Sequence, residues 1–206
     1  MRIASRPFSF RSEAGFNLIE LLVAFALLAL LATLAISPLH RAARSLRLRQ
    51  AASELVGALR AAQSFAVRRS ANVAVRFGVE PNGGVTFSLY RDGNGNGVKN
   101  ADIRAGIDPK IDGPRRLGGL GFGLRFGFPP GLRPTDPADP SRRLDRLDDP
   151  VRFNDSDLAS FDPLGGATPG SLYLTDGHQG LAAIRVLGRN GRVRVMTYTA
   201  ATGRWK

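Results

Sequence analysis

Oxygen-bearing side chains at alternate positions form the part of this sequence best suited to binding a metal ion. Asp92, Asn94 and Asn96 are each followed by glycine, and this spacing matches the first half of a calcium-binding loop. The backbone carbonyl of Val98 would add a ligand farther along the loop, and Asp102 would complete the shell, with Asn100 and Asp108 as alternatives to it. The pattern therefore predicts a calcium site at Asp92, Asn94, Asn96, Val98 and Asp102.

The second half of the pattern departs from a complete calcium loop. The last position of such a loop, normally a bidentate Glu, is Ile103 here, and Asp102 comes one residue too early. A plain turn between two strands has the same Asn- and Gly-rich composition. Calcium binding and a simple turn both remain open from the sequence.

The sequence provides no set of residues for nucleophilic or acid–base catalysis. Among 206 residues there are no Cys and two His, which excludes thiol nucleophiles, disulfides and Cys-ligated zinc. His40 borders an apolar segment, and His178 lies with Asp176 in a Gly-rich turn. Ser171 lacks the Gly-x-Ser-x-Gly context of a hydrolase. We therefore expect that the protein is not an enzyme.

The C-terminal segment carries an unbalanced positive charge. Its cations are Arg185, Arg189, Arg192, Arg194, Arg204 and Lys206. No acidic residue follows Asp176. Arg192 and Arg194 would share one face of a strand, so their guanidinium groups could contact successive phosphates of DNA. A strand with a solvated, charged outer face has the same pattern, so DNA binding is one of two interpretations.

The elements that must position these residues begin with an apolar run over residues 18–36. As a helix it would be roughly 28 Å long, close to the hydrocarbon thickness of a bilayer. Glu20 is its single charge. A buried helix of a soluble protein usually shows a polar stripe, which this run lacks. We therefore expect a transmembrane helix.

A polar leader, residues 1–15, precedes the apolar run and contains three Arg. An ordinary signal peptide also begins with basic residues, and Ala32 and Ala35 leave signal cleavage open. The junction, Gly-Phe-Asn-Leu-Ile-Glu at residues 15–20, resembles the class III signal of type IV pilins and pseudopilins, in which Thr is usual at the position of Asn17. This resemblance implies that a prepilin peptidase cuts between Gly15 and Phe16 and that the new Phe16 amine is methylated.

The resemblance also gives Glu20 a role. An unpaired carboxylate costs about 2.5 kcal/mol or more at a bilayer centre and less near an interface. In pilins and pseudopilins this Glu is thought to meet the N-terminal amine of a neighbouring subunit during filament assembly. A Glu that merely reaches the interface is the alternative. The resemblance further implies that the helix inserts among other pilins or pseudopilins in the inner membrane, with the C-terminal domain in the periplasm.

Beyond the apolar run, apolar residues at spacings of three and four predict an amphipathic helix to residue 70, continuous with the membrane segment over residues 16–69. We expect Pro38 to kink it. A period of two then predicts strands over residues 72–77, 85–90, 171–174, 182–187 and 192–198. A long helix followed by antiparallel strands is an α+β plan, and the combination resembles the GspH/FimT branch of pseudopilins.

These observations, together with the resemblance, divide the chain into four segments. They are a leader at 1–15, a transmembrane helix half at 16–39, an amphipathic helix half at 40–70 and a β-rich domain at 71–206, which the resemblance places in the periplasm. Within the domain, Pro and Gly predict an irregular loop over about 129–165, either a partner contact or merely solvated.

The resemblance implies a minor pseudopilin of a type II secretion system. The alternative is a minor pilin similar to FimT that binds DNA for natural transformation.

Overall fold

The structure is a computed structural model that describes residues 17–81, 84–117 and 123–206, and of residues 34–37 the backbone only. The chain divides into two units after Arg41. The helix α1 (Leu18–Arg69) runs through the boundary. The predicted long helix is therefore confirmed from residue 18 onward, and residue 16 lies outside the described part of the chain.

In the first unit, α1 exposes apolar side chains on every side. The helix begins at Leu18, and the carbonyl oxygen of Asn17 accepts a hydrogen bond from the Leu21 N–H at 3.1 Å. Every described side chain from residue 18 to 33 is exposed. Pro38 lies inside the helix, and its predicted kink stays a prediction. By length and composition the helix can cross a membrane.

In the second unit, one stripe of α1 is buried against the β-strands. Its members, spaced by three and four residues as predicted, are Leu48, Ala51, Ala52, Leu55, Leu59, Ala62 and Ala66. Because most of them are Ala, the helix can approach the sheets closely. The helix ends where Ser70 adopts a left-handed φ of 49°, and the Ala71 N–H donates to the Ala66 carbonyl oxygen at 3.2 Å.

The described residues form ten strands, one further α-helix and one 3₁₀ turn. The strands are β1 (Val73–Val79), β2 (Val85–Arg91), β3 (Lys110–Arg116), β4 (Arg125–Phe126), β5 (Val151–Arg152), β6 (Leu158–Phe161), β7 (Gly170–Thr175), β8 (Leu181–Leu187), β9 (Arg192–Thr199) and β10 (Arg204–Trp205). The second helix, α2 (Asn100–Arg104), follows β2, and the 3₁₀ turn (Gly188–Asn190) joins β8 to β9.

The strands build two antiparallel sheets. The first has the order β3-β2-β1-β6, and the second has the order β10-β9-β8-β7-β4 with β5 also paired to β7. Both sheets contribute to one core under α1, through residues such as Val75, Phe87, Leu174 and Ile184. The long helix on antiparallel sheets confirms the predicted α+β, pilin-like fold.

The second sheet is covered on its other face as well. Tyr173 and Ala183 are buried there together with Leu144, and Tyr198 and Trp205 pack against them. Leu144 belongs to residues 129–150, which contain no helix or strand and are linked by turns and one isolated bridge between Thr135 and Arg143. This irregular segment is therefore not merely solvated, since it supplies part of a second apolar cluster.

One prediction about the middle of the chain needs correction, and one strand there was missed. The expected irregular loop over 129–165 contains β5 and β6, and β6 pairs with β1 across the first sheet. The strand β3 was not predicted, because its sequence is charged and contains Pro114. Edge strands tolerate both features, and β3 lies at the edge of its sheet.

Candidate functional sites

The predicted assembly residue lies at the start of the apolar helix. Glu20 is in the first turn of α1 and its side chain is exposed. A carboxylate at this position is favourably placed near the positive end of the helix dipole. Gly15 and Phe16, the predicted cleavage residues, lie outside the described residues. The expected meeting of Glu20 with a neighbouring amine stays a prediction.

The register of the second sheet aligns three arginines across four strands. Arg152 is opposite Ser171, Ser171 is opposite Arg185, and Arg185 is opposite Arg194. Directly paired residues of adjacent strands share a face, so these side chains form one row. Arg192 lies two residues before Arg194 and shares the face. We call Arg185, Arg192 and Arg194 the arginine row.

Arg152 differs from the residues of the arginine row because its guanidinium group has an ion-pair partner and other contacts. Its Nη1 lies 3.1 Å from Asp145 Oδ1, and its Nε donates to the Asp149 carbonyl oxygen at 2.8 Å. Its guanidinium carbon lies 5.5 Å from the centre of the Tyr173 ring. Arg152 thus holds residues 145–149 against the sheet. Within the described ranges, by contrast, no residue of the arginine row forms an ion pair.

The remaining predicted DNA-binding cations lie elsewhere. Trp205 pairs with Tyr198 on the face of the arginine row, so the neighbouring Arg204 lies on the opposite face. Lys206 continues the pairing beyond Trp205 through hydrogen bonds with Thr197. Arg189 is exposed in the 3₁₀ turn. The structure therefore brings together three of the six predicted residues and separates the other three.

Aromatic side chains lie beside the arginine row on the same face, a feature that sequence reasoning missed. The ring centres of Tyr198 and Trp205 are 5.1 Å apart, and those of Tyr173 and Trp205 are 6.3 Å apart. Burial raises the pKa of Tyr173 to about 12, opposed by the nearby Arg152 charge. Tyr173 is therefore neutral at physiological pH. The one indication of this aromatic cluster in the sequence was Trp205, which lies near the end of the basic segment.

The predicted calcium residues lie in the connection between β2 and β3, where Asp92 organises the backbone. Asp92 Oδ1 accepts hydrogen bonds from the N–H groups of Asn94 and Gly95 at 3.2 and 2.7 Å. Its Oδ2 accepts from the Gly97 N–H at 2.7 Å and from Asn72 Nδ2 at 2.9 Å. Burial acts to raise the pKa of Asp92, but these hydrogen bonds outweigh it and the net pKa is lowered.

The other predicted ligands converge on Asp102. Asn94 and Asn96 donate through their Nδ2 atoms to Asp102 Oδ2, at 3.3 and 3.1 Å. The side chain of Val98 is buried with Tyr90. In the parts of the chain that the structure describes, no group of three or more His, Cys, Asp or Glu side chains is arranged to hold a metal ion. Calcium binding stays a prediction from the residue pattern.

Asp108 is a second carboxylate that organises the backbone of this connection. Its side chain is 1% exposed. Its Oδ1 accepts from the Gly93 N–H at 3.0 Å and its Oδ2 from the Lys99 N–H at 2.9 Å. Asp92 and Asp108 together fix both ends of the loop by accepting backbone hydrogen bonds, which is what turn-forming Asp residues do.

An apolar helix that continues into a helix packed on antiparallel sheets is the fold of a pilin-like subunit, and its first part has the length and composition of a single-pass membrane anchor. Residues 51–195 match the family described as type II transport protein GspH. The match covers more than half of the chain, and the chain belongs to this family. The matched region begins after the pilin-like junction at residues 15–20. The family match and the junction therefore depend on different parts of the sequence. No curated protein and no solved structure matches the chain.

Proposed function

We propose that the chain is a minor pseudopilin of a type II secretion pseudopilus, anchored in the inner membrane with its second unit in the periplasm. The observation that carries this proposal is the family match over residues 51–195. The apolar, exposed start of α1 supports it, because such a helix is stable only among lipids or similar helices. The function is mechanical: the helix joins a filament and the sheets are presented on its outside.

Processing at the start of the helix is part of the proposal. A prepilin peptidase removes residues 1–15, and the methylated amine of Phe16 becomes the new terminus. Glu20 then lies four residues from that amine along the chain. Pairing with the amine of a neighbouring subunit offsets the cost of placing its carboxylate in an apolar layer.

Mass spectrometry of the protein from membranes tests the processing step. Coexpression with a prepilin peptidase should produce a chain that begins at methylated Phe16, whereas Gly15→Leu should retain the leader. Asn17→Thr is the matched control, because it restores the usual residue at that position and should be cleaved. Cleavage after Ala32 or Ala35 in place of Gly15 would contradict the proposal.

Secretion by the protein's own host tests the function. Deleting the gene should leave the substrates of the type II system in the periplasm, and the wild-type gene should restore export. Glu20→Ala should fail to restore it, while Glu20→Asp, which keeps the charge, should restore it at least in part. Full secretion by the deletion strain would refute the secretion role.

DNA capture is the second candidate function, and the arginine row is the observation that favours it. Arg185, Arg192 and Arg194 share one face without acidic partners among the described residues. Guanidinium groups on adjacent strands suit the spacing of phosphates along one nucleic-acid strand. A mobility shift of a DNA duplex at two salt concentrations tests it, because phosphate contacts weaken steeply as salt rises. Transformation frequency in the deletion strain separates this role from secretion.

A further inference from the structure

Five of the eight residues of the strand β9 have no neighbouring strand on one side among the described residues. β9 pairs with β8 from Arg192 to Thr197, whereas β10 pairs only with Tyr198 and Thr199. Reciprocal hydrogen bonds of 2.9 Å between Thr197 and Lys206 extend that pairing by one residue. In the described sequence, no strand pairs with residues 192–196 on the β10 side. We call this stretch the open edge.

The direction of the backbone groups along the open edge follows from the pairing at Thr197. In an antiparallel ladder, successive residues direct their N–H and C=O groups to opposite sides. The N–H and C=O of Thr197 point to β10, so those of Val195 and Val193 point to the same side. The open edge therefore presents two donors and two acceptors in the spacing that an added strand requires. The groups of Arg194 and Met196 point to β8.

The side chains around the open edge are basic. Arg192 and Arg194 are exposed along it, and Arg185 lies behind them on β8. None of the three has an ion-pair partner among the residues described. A second copy of this edge would place Arg opposite Arg, which is unfavourable for directly paired residues. The charge thus selects against self-association and in favour of an acidic strand.

We propose that the open edge of β9 is a docking site for an extended acidic segment of a partner protein. The segment adds a strand in line with β10 and exchanges backbone hydrogen bonds with Val193 and Val195. Acidic side chains at alternate positions of the segment face Arg192 and Arg194. DNA suits the edge less well, because phosphates only accept hydrogen bonds and would leave the two Val carbonyl groups without donors.

This site belongs to β9 in the second unit, whereas the apolar part of α1 belongs to the first unit. The site therefore provides a contact of the exposed domain that does not depend on the secretion role proposed above. Binding to it also differs from a purely electrostatic contact, because it requires the backbone N–H of an edge residue. That requirement makes the proposal testable by one substitution.

The test uses the full chain in a nonionic detergent and a fluorescent ten-residue peptide of alternating Glu and Thr. Val195→Pro removes the outward N–H of the edge without removing a hydrogen bond to β8, and edge strands tolerate such prolines. Val195→Thr is the matched control, since Thr is β-branched like Val and keeps the N–H. Circular dichroism of both variants verifies the fold. A peptide with Lys in place of Glu controls for charge.

We expect Val195→Pro to weaken binding of the acidic peptide about tenfold or more, because a backbone hydrogen bond is lost and its partner is left unpaired. Val195→Thr should bind like the wild type. Arg194→Gln should also weaken binding, and the Lys peptide should not bind. Absence of binding by the wild type, or equal binding by the Pro and Thr variants, would overturn the proposal. So would a DNA duplex that binds the wild type and the Pro variant equally while the acidic peptide fails to compete.

Discussion

The indole Nε1 of Trp205 donates a 2.7 Å hydrogen bond to the carbonyl oxygen of Thr135. This bond joins β10 to the irregular segment 129–150. The Trp205 ring also packs against Tyr198 and Tyr173. One side chain therefore connects the last strand, the outer face of the second sheet and the segment that covers it.

Replacing Trp205 should weaken all three connections to different extents. Trp205→Phe keeps an aromatic ring but removes the N–H, and we expect it to lower the free energy of unfolding by about 1 kcal/mol. Trp205→Ala removes the ring as well and should cost about 3 kcal/mol. Urea unfolding followed by circular dichroism measures both. Equal stability of the Ala variant and the wild type would show that the ring contacts contribute nothing.

Thr135 carries an unpaired polar atom next to this bond. Its Oγ1 is buried and has no hydrogen-bond partner in the described part of the chain. Thr135→Val keeps the shape and removes the buried hydroxyl, so we expect it to raise the free energy of unfolding by about 1 kcal/mol.

Thr175→Val is the matched control for that substitution. The Thr175 hydroxyl donates to the Gly180 carbonyl oxygen at 2.8 Å and accepts from the Gly177 N–H at 3.1 Å. Its removal should therefore destabilise the protein by about 2 kcal/mol. Urea unfolding followed by circular dichroism measures both variants. The interpretation fails if Thr135→Val lowers the free energy of unfolding as much as Thr175→Val does.

The sequence predicted the elements whose signals are local. The helix stripe and the strands β1, β2, β7, β8 and β9 each repeat apolar residues over several positions, so their type could be inferred without knowing their neighbours. The strands β4, β5 and β10 have two residues each and carry no period. They form because longer neighbouring strands offer backbone N–H and C=O groups to pair with. Such tertiary contacts cannot be inferred from two residues of sequence.

The candidate site shows the same limit. That Arg192 and Arg194 share a face follows from the strand period alone. That Arg185 joins them depends on the β8–β9 register, whereas Arg204 is excluded because Trp205 pairs with Tyr198. The cations of the C-terminal segment therefore do not all lie on one surface, although they are close together in the sequence. Similarly, the alternating oxygen-bearing side chains near Asp92 could be recognised in the sequence. That Asp92 accepts hydrogen bonds from backbone N–H groups of its own loop could not.

Gly191 should tolerate no side chain. It adopts a left-handed φ of 59°, and an added Cβ would lie 2.7 Å from the Gly165 carbonyl oxygen and also clash with Gln63 Nε2. Gln63 holds this region by donating to the carbonyl oxygens of Gly165 and Asn190 at 2.8 and 3.2 Å. We expect Gly191→Ala to cost about 3 kcal/mol from backbone strain and the clash together.

The comparison for Gly191 is Gly106→Ala. Gly106 also has a left-handed φ, of 74°, but an added Cβ would meet nothing within 4 Å. It should therefore cost only the backbone strain, about 1 kcal/mol. The difference in unfolding free energy between the two variants isolates the clash with Gln63 and Gly165. Equal losses would mean that the neighbours move aside without cost.

The calcium hypothesis can be separated from a plain turn by titration. If the loop binds calcium through Asp92, Asn94, Asn96, Val98 and Asp102, calorimetry of the full chain in detergent should detect binding at submillimolar to millimolar calcium. Magnesium should bind more weakly, because it requires a tighter octahedral shell. Asp102→Asn should weaken the calcium signal. Absence of heat from the wild type at millimolar calcium would leave the turn as the explanation.

The stability of the protein should depend on acid through Asp92. Its four hydrogen bonds lower the pKa in the folded state below the ordinary value of 3.8. A group of this kind stabilises the fold above the ordinary pKa, and the contribution is lost as the pH falls through the ordinary value towards the folded one. Asp92→Asn should therefore cost about 2 kcal/mol at pH 7.

The difference between Asp92→Asn and the wild type should shrink as the pH falls below 3.8, because the carboxylate of the unfolded wild-type chain is then protonated while the folded state still keeps it ionised. Asp148→Asn is the control, since Asp148 is exposed and accepts no hydrogen bond from a described residue. Its effect should be small at every pH. Urea unfolding between pH 7 and pH 3 measures all three proteins. A constant difference for Asp92→Asn across that range would mean that the hydrogen bonds do not depend on the charge.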